Sequence, residues 1–157
     1  MIEAIIQAAK PNDYGFEYGL PSDRNLNAFT HPRRLWLNPV VVQETYTDFG
    51  QATRVAQIDM YHEIMNTEAG ATNRTTIFNL VNQARNDAFG TIARIFQNDT
   101  IVSFENIRHE PIHQETNQVY CGVRTRMNVT FEQIVDCGIQ PEPYVLLNYV
   151  LPNYTNP

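Results

Sequence analysis

Lysine is almost missing from this sequence. Lys10 is the only one in 157 residues; the other ten cations are arginines, set against 17 acidic side chains and a net charge of −6. A dedicated nucleic-acid binder concentrates lysine and arginine on one face, so this balance argues against that class. Long apolar runs are missing too, since no stretch reaches the roughly 18 residues of a membrane span. Ile2 to Ala9 is too short, and lacks the basic leader, of a signal peptide, so the chain is expected to be soluble and made in a reducing cytosol. Cysteine is limited to Cys121 and Cys137. At the two ends of one extended strand they would lie about 50 Å apart at roughly 3.3 Å per residue, far beyond the ~7 Å between Cα atoms that a disulfide tolerates. No Gly-rich phosphate loop, G-x-S-x-G elbow or Cys-x-x-Cys pair occurs, which removes familiar nucleotide, hydrolase and redox signatures. Asn-x-Thr sequons at Asn73, Asn98, Asn128 and Asn153 carry no weight without a secretory route.

What is present is one long helix. From Asn73 to Gln97, Ile77, Val81, Ala84, Ala88, Ile92 and Ile95 recur at spacings of three and four, and Leu80, Phe89 and Phe96 widen the stripe. That period predicts an amphipathic helix lying on a sheet. Gly90 inside it costs roughly 1 kcal/mol relative to alanine, which points to a close contact or a bend. A short opening helix, IEAIIQAAK, stops at Pro11. Between Asn12 and Pro32 aromatic anchors punctuate Pro, Asn, Asp and Gly, so this is read as an ordered loop with a short strand near Phe16 to Tyr18. Arg34 to Val42 reads as a strand in which Pro39 marks an edge, bulge or break. Gln43 to Gly50 reads as an exposed polar extension.

Thr53 to Met65 alternates, with Ala56, Ile58, Met60, His62 and Ile64 on a single buried face. Thr100 to Ile112 and Val119 to Cys137 form a β-hairpin, with Gly122 a candidate bulge. The class is α+β: an antiparallel sheet packed by one long helix and a short N-terminal helix. Residues 1–137 form the domain. Residues 138–157 combine four prolines with Tyr144, Leu146, Leu147, Tyr149, Leu151 and Tyr154, too apolar for water and too short for a core, so they are expected to form an extended arm on a neighbour.

Chemistry is sparse. His109 and His113 on one strand would share a face about 13 Å apart at roughly 3.3 Å per residue, too far for one metal ion unless Pro111 turns the chain. Exposed histidines at the hairpin end are the preferred reading. Cysteines at apolar-phase strand positions are read as core fillers rather than nucleophiles. No catalytic residue, cofactor or metal is assigned. Asp23-Arg24 and Arg33-Arg34 are expected to tie the long loop down or to meet a partner. Arg124 and Arg126 project together from the outward face of the last strand, suiting an intersubunit carboxylate pair or a solvated face. The arginine bias fits either a compositional habit or a surface lying against other protein, where arginine is enriched and lysine depleted.

Over roughly residues 1–137 the layout resembles the tail-terminator and tail-completion proteins of tailed bacteriophages, including the ring proteins below the portal of crAss-like phages. The likeness lies in the opening helix, the Tyr14-Gly15 and Tyr18-Gly19 turns, two strands, the helix with I-F-N-L-V phasing, and the closing V-Y-C-G-V-R-T-R-M-N-V-T-F strand. It implies a structural virion protein, not an enzyme, placed at the head–tail junction after assembly in the host cytoplasm. It also implies a homo-oligomeric ring, six- or twelve-fold, contacting portal, neighbouring ring or tail proteins, with genome DNA passing an acidic lumen without specific binding. The interface would draw on Arg124, Arg126 and the apolar residues of the arm. The alternatives are a small soluble enzyme or ligand-binding domain with a site near His109 and His113, or another tail or baseplate component.

Overall fold

The computed structural model describes residues 2–26, 31–46, 52–66, 74–113 and 120–131. The expected arm, with Tyr144, Leu146, Leu147, Tyr149, Leu151 and Tyr154, lies outside them, as does Cys137. The elements run α1 (Ile2–Ala9), β1 (Gly15–Tyr18), α2 (Asp23–Leu26), β2 (Arg33–Leu37), β3 (Val41–Tyr46), β4 (Ala52–Met65), α3 (Arg74–Phe96), β5 (Ile101–Ile112) and β6 (Tyr120–Phe131). The class is α+β, as the periodicities predict. The sheet order is β1-β2-β4-β6-β5, with β3 beside β4.

Every pairing is antiparallel except β1 with β2, which run parallel. Asn38-Pro39-Val40 breaks what the sequence presents as one strand. Proline has no N–H for the ladder, so the chain bends there and β2 and β3 follow one another along the same side of β4, against Met60–Ile64 and Ala52–Gln57. The polar extension beginning at Gln43 is therefore ordered strand as far as Tyr46.

Helix α3 and α1 cover one face. Val81, Ala84 and Ile95 of α3 and Ile2, Ile6 and Ala9 of α1 meet Leu35, Leu37, Ile58, Met60, Val123 and Val129 of the sheet in one core. Burying a side chain such as Val81 or Ile95 stabilises by about 1.5–3 kcal/mol. Phe89 and Phe96 do not join that stripe; they are 49% and 59% exposed. Their rings instead lean over β5, edge-on to His109 at 4.9 Å and tilted against Phe104 at 5.4 Å. At Gly90 there is a close contact, made by a side chain of the same helix. The Arg94 guanidinium lies beside it, 3.3 Å from where a Cβ would sit, while Arg94 Nε donates to the Ala9 carbonyl at 2.7 Å and caps the end of α1.

Gly122 is not a bulge. The β4–β6 register runs unbroken through its pairing with Glu63, and the backbones approach so closely that any Cβ there would lie 1.9 Å from the His62 carbonyl oxygen. The irregularities sit in β5, between Ile101 and Ser103 and between Glu105 and Arg108. The second contains Asn106 at φ 56°, the left-handed region that asparagine tolerates better than most residues. These bulges explain why apolar alternation is weak along that strand.

Candidate functional site

The face of the sheet away from the helices carries the unusual chemistry, in two regions. The first lies over the C-terminal half of β4. Alternation predicts one buried face there, yet Tyr61 and Glu63, pointing the other way, are buried too. The cover comes from Gly19 and α2, which lie over the outward side chains Trp36 and Tyr61. Glu63 is fully buried and receives Arg34 Nε at 2.7 Å on one oxygen and Arg24 on the other. Arg34 also reaches Glu17 at 3.3 Å and the Arg24 carbonyl at 3.0 Å. Its guanidinium lies 4.1 Å from the Tyr120 ring centre, and that of Arg24 lies 4.0 Å from the Tyr61 ring. Two guanidinium groups meet two carboxylates, so a charge set that would be costly to bury singly is balanced and hydrogen-bonded. Arg24 and Arg34 thus tie the loop down. Arg33, pointing to the helix side, lies 3.5 Å from Asp13 and 3.7 Å from Asp87.

The second region lies over β5, β6 and the middle of β4, where no covering segment is described. Here Arg108, Arg124, Arg126, Asp59, Asn106 and Asn128 line an open groove of about 680 Å³. Arg124 grips Asp59 with two bonds of 2.8 and 2.7 Å, and Asn38 donates to the same carboxylate at 2.8 Å while accepting from the Trp36 indole at 3.0 Å. Burial alone would raise the Asp59 pKa, but Arg124 and Asn38 outweigh it and hold the carboxyl below its ordinary range. Arg126 pairs with Glu110. Both arginines that the sequence places in phase therefore have carboxylate partners within their own chain. Arg108 was not singled out by its sequence position. It is exposed, stands opposite Arg126 in the ladder, and has no carboxylate partner among the described residues.

The histidines do not form a centre. β5 runs straight through Pro111, which pairs with Val123, so no turn brings His109 and His113 together. His109 is not an exposed hairpin-end residue either; it is half-buried beneath Phe89 with Nδ1 2.9 Å from Thr125 Oγ1. The fully buried histidine is His62, on the core face. Thr91 Oγ1 donates to the Asp87 carbonyl at 3.0 Å and therefore accepts from His62 Nε2 at 2.8 Å, leaving Nδ1 a buried acceptor with no partner among the described residues. Cys121 is buried at an apolar-phase position. Among the described residues no group of three or more His, Cys, Asp or Glu is placed to hold a metal ion, and no helix is long and apolar enough to cross a membrane.

The strand edges differ sharply. β1 is four residues long, and β5 carries two register shifts and Pro111, both devices that blunt an edge. β3 has neither. Its six residues, VVQETY, are exposed on both faces and pair with β4 in unbroken register. Its one charge, Glu44, is already bonded to Arg54 at 2.6 Å. A second exposed feature is the row Phe78, Phe89 and Phe96 on α3, which spacings of eleven and seven align along one flank of the helix. Compared with known proteins, the chain matches no family model and no curated protein.

Proposed function

We propose that this chain is a structural subunit of a tailed-phage virion, forming an adaptor or terminator ring at the head–tail junction and acting without catalysis. The observation that carries the reading is β3. A bulge-free edge strand exposed on both faces is a template for pairing with another chain, and a protein working alone would guard it. In a ring each copy lends such an edge to its neighbour, so the liability becomes the joint. The aromatic row on α3 gives the same assembly further apolar surface, and the resemblance of the layout to ring-forming phage proteins supports the placement.

An acidic lumen lets DNA pass, because binding grows with the number of phosphates neutralised. The purified chain, alone or with its neighbouring virion protein, is expected to run at a mass many times 18.1 kDa and to show rings in negative stain. Placing lysines at Val42 and Thr45 should return it to single subunits with unchanged far-UV circular dichroism. A wild type that stays monomeric at high concentration and with the portal present sinks the reading, as does an assembly indifferent to the two lysines.

A further inference from the structure

We propose that the outward groove over β5 and β6 is a docking site for an extended segment of another protein, with a carboxylate of that segment seated on Arg108. Three arginines converge on the groove, and two are already neutralised, Arg124 by Asp59 and Arg126 by Glu110. Among the described residues Arg108 is the guanidinium in excess. It stands directly across the ladder from Arg126, and like charges facing one another across strands destabilise a sheet. An incoming carboxylate relieves that repulsion and matches the planar fork of donors.

The rest of the lining describes the ligand. Pro21, Pro39 and Val41 give apolar wall, while the amides of Gln57, Asn106 and Asn128 give hydrogen-bonding groups of both kinds. A peptide with one acidic residue flanked by apolar side chains fits all three features. Nucleic acid fits poorly: no aromatic side chain among the described residues lines the groove to stack a base, and the chain carries a net charge of −6. The bulge at Asn106 and Ile107 takes those residues out of regular pairing at the groove's margin. Of β3 only Val41 lines this surface, so lysines at Val42 and Thr45 that abolish ring assembly leave peptide docking in place.

The test is selection of a randomised twelve-residue peptide library on the intact chain, followed by affinity measurement with the enriched peptides, with the same peptides carrying glutamine for glutamate, and with a 20-base-pair duplex. Enriched peptides should share an acidic residue between apolar ones. Glutamine replacement, or R108Q in the protein, should weaken binding about tenfold or more, while R74Q at the start of α3 changes nothing. In the free protein R108Q should raise the melting temperature by about 1–3 °C, because it removes the repulsion with Arg126. The proposal falls if no peptide enriches, if enriched peptides lack acidic residues, if the duplex binds more tightly than they do, or if R108Q lowers the melting temperature, which would make Arg108 a structural residue.

Discussion

Two patches of arginine and carboxylate lie on the same face of one sheet, and they differ in what lies over them. Around Glu63 the described residues after β1, with α2, close the top, Arg34 is 2% exposed, and every charge has its opposite. Around Arg124 and Arg126 the top is open and one guanidinium is left over. The comparison teaches that arginine abundance has no single meaning here. Four charges, Arg24, Arg34, Glu17 and Glu63, fix the fold, while the three groove arginines form a surface whose pairing is incomplete within the described chain. Cover decides the difference, because a buried ion pair must be complete whereas an exposed one is screened and loosely held.

The largest effect that separates the two patches is expected from Glu63→Gln. It leaves Arg34 buried without its main counter-charge, and breaking a buried pair costs about 3–5 kcal/mol, lowering the melting temperature by roughly 10 °C in a chain of this size. A loss under about 1 kcal/mol in urea or thermal unfolding would erase the distinction between closed and open patches. The helix side supplies a second contrast, because its buried histidine, His62, has no ionic partner among the described residues. Burial pushes His62 down to about 3, with His109 and Arg94 adding in the same direction, whereas unfolded it titrates near 6.5. Between those values the unfolded chain holds the extra proton, so stability falls as pH falls, by up to about 1.4 kcal/mol per unit. His109 is shifted in the same direction by its own burial and by Arg85. Unfolding measured from pH 6.5 to 4.5 should show this slope in the wild type and a clearly shallower one in His62→Gln; equal slopes would remove His62 as its source.

How much of this was legible in the residues follows from how local each signal is. The period of α3 and the alternation of Ala56 to Ile64 are written within a single turn or a pair of residues, so the long helix and the central strand can be read directly. Phe89 and Phe96 fit the apolar count but not the burial, because β5 meets the flank of α3 and not its base. The parallel pairing of Gly15–Tyr18 with β2 leaves no mark in four residues. Glu63 looks like Gln57 in sequence, an outward polar residue on an alternating strand; only the cover from α2, held by Arg24 from 39 residues away, makes one buried and the other exposed. Arg124 and Arg126 show their shared phase plainly, yet Asp59, 65 residues from Arg124, cannot be matched to it by spacing. Arg108 hides because the bulge at Asn106 resets the alternation just before it.

The smallest expected effect sharpens the comparison from the open side. Asp59 is partly covered and takes three hydrogen bonds, so Asp59→Asn should cost about 1–2 kcal/mol. Glu110 is more exposed and among the described residues bonds only to Arg126, so Glu110→Gln should cost no more than about 0.5 kcal/mol, an amount that 0.5 M salt should largely mask. Its consequence for binding runs the other way. With Glu110 neutral, Arg126 joins Arg108 as an unmatched cation, and peptides carrying two acidic residues should gain affinity relative to those carrying one. If Glu110→Gln instead destabilised the chain as much as Glu63→Gln, the outward face would be one continuous structural network, and the groove would lose its claim to be a surface left open for a partner.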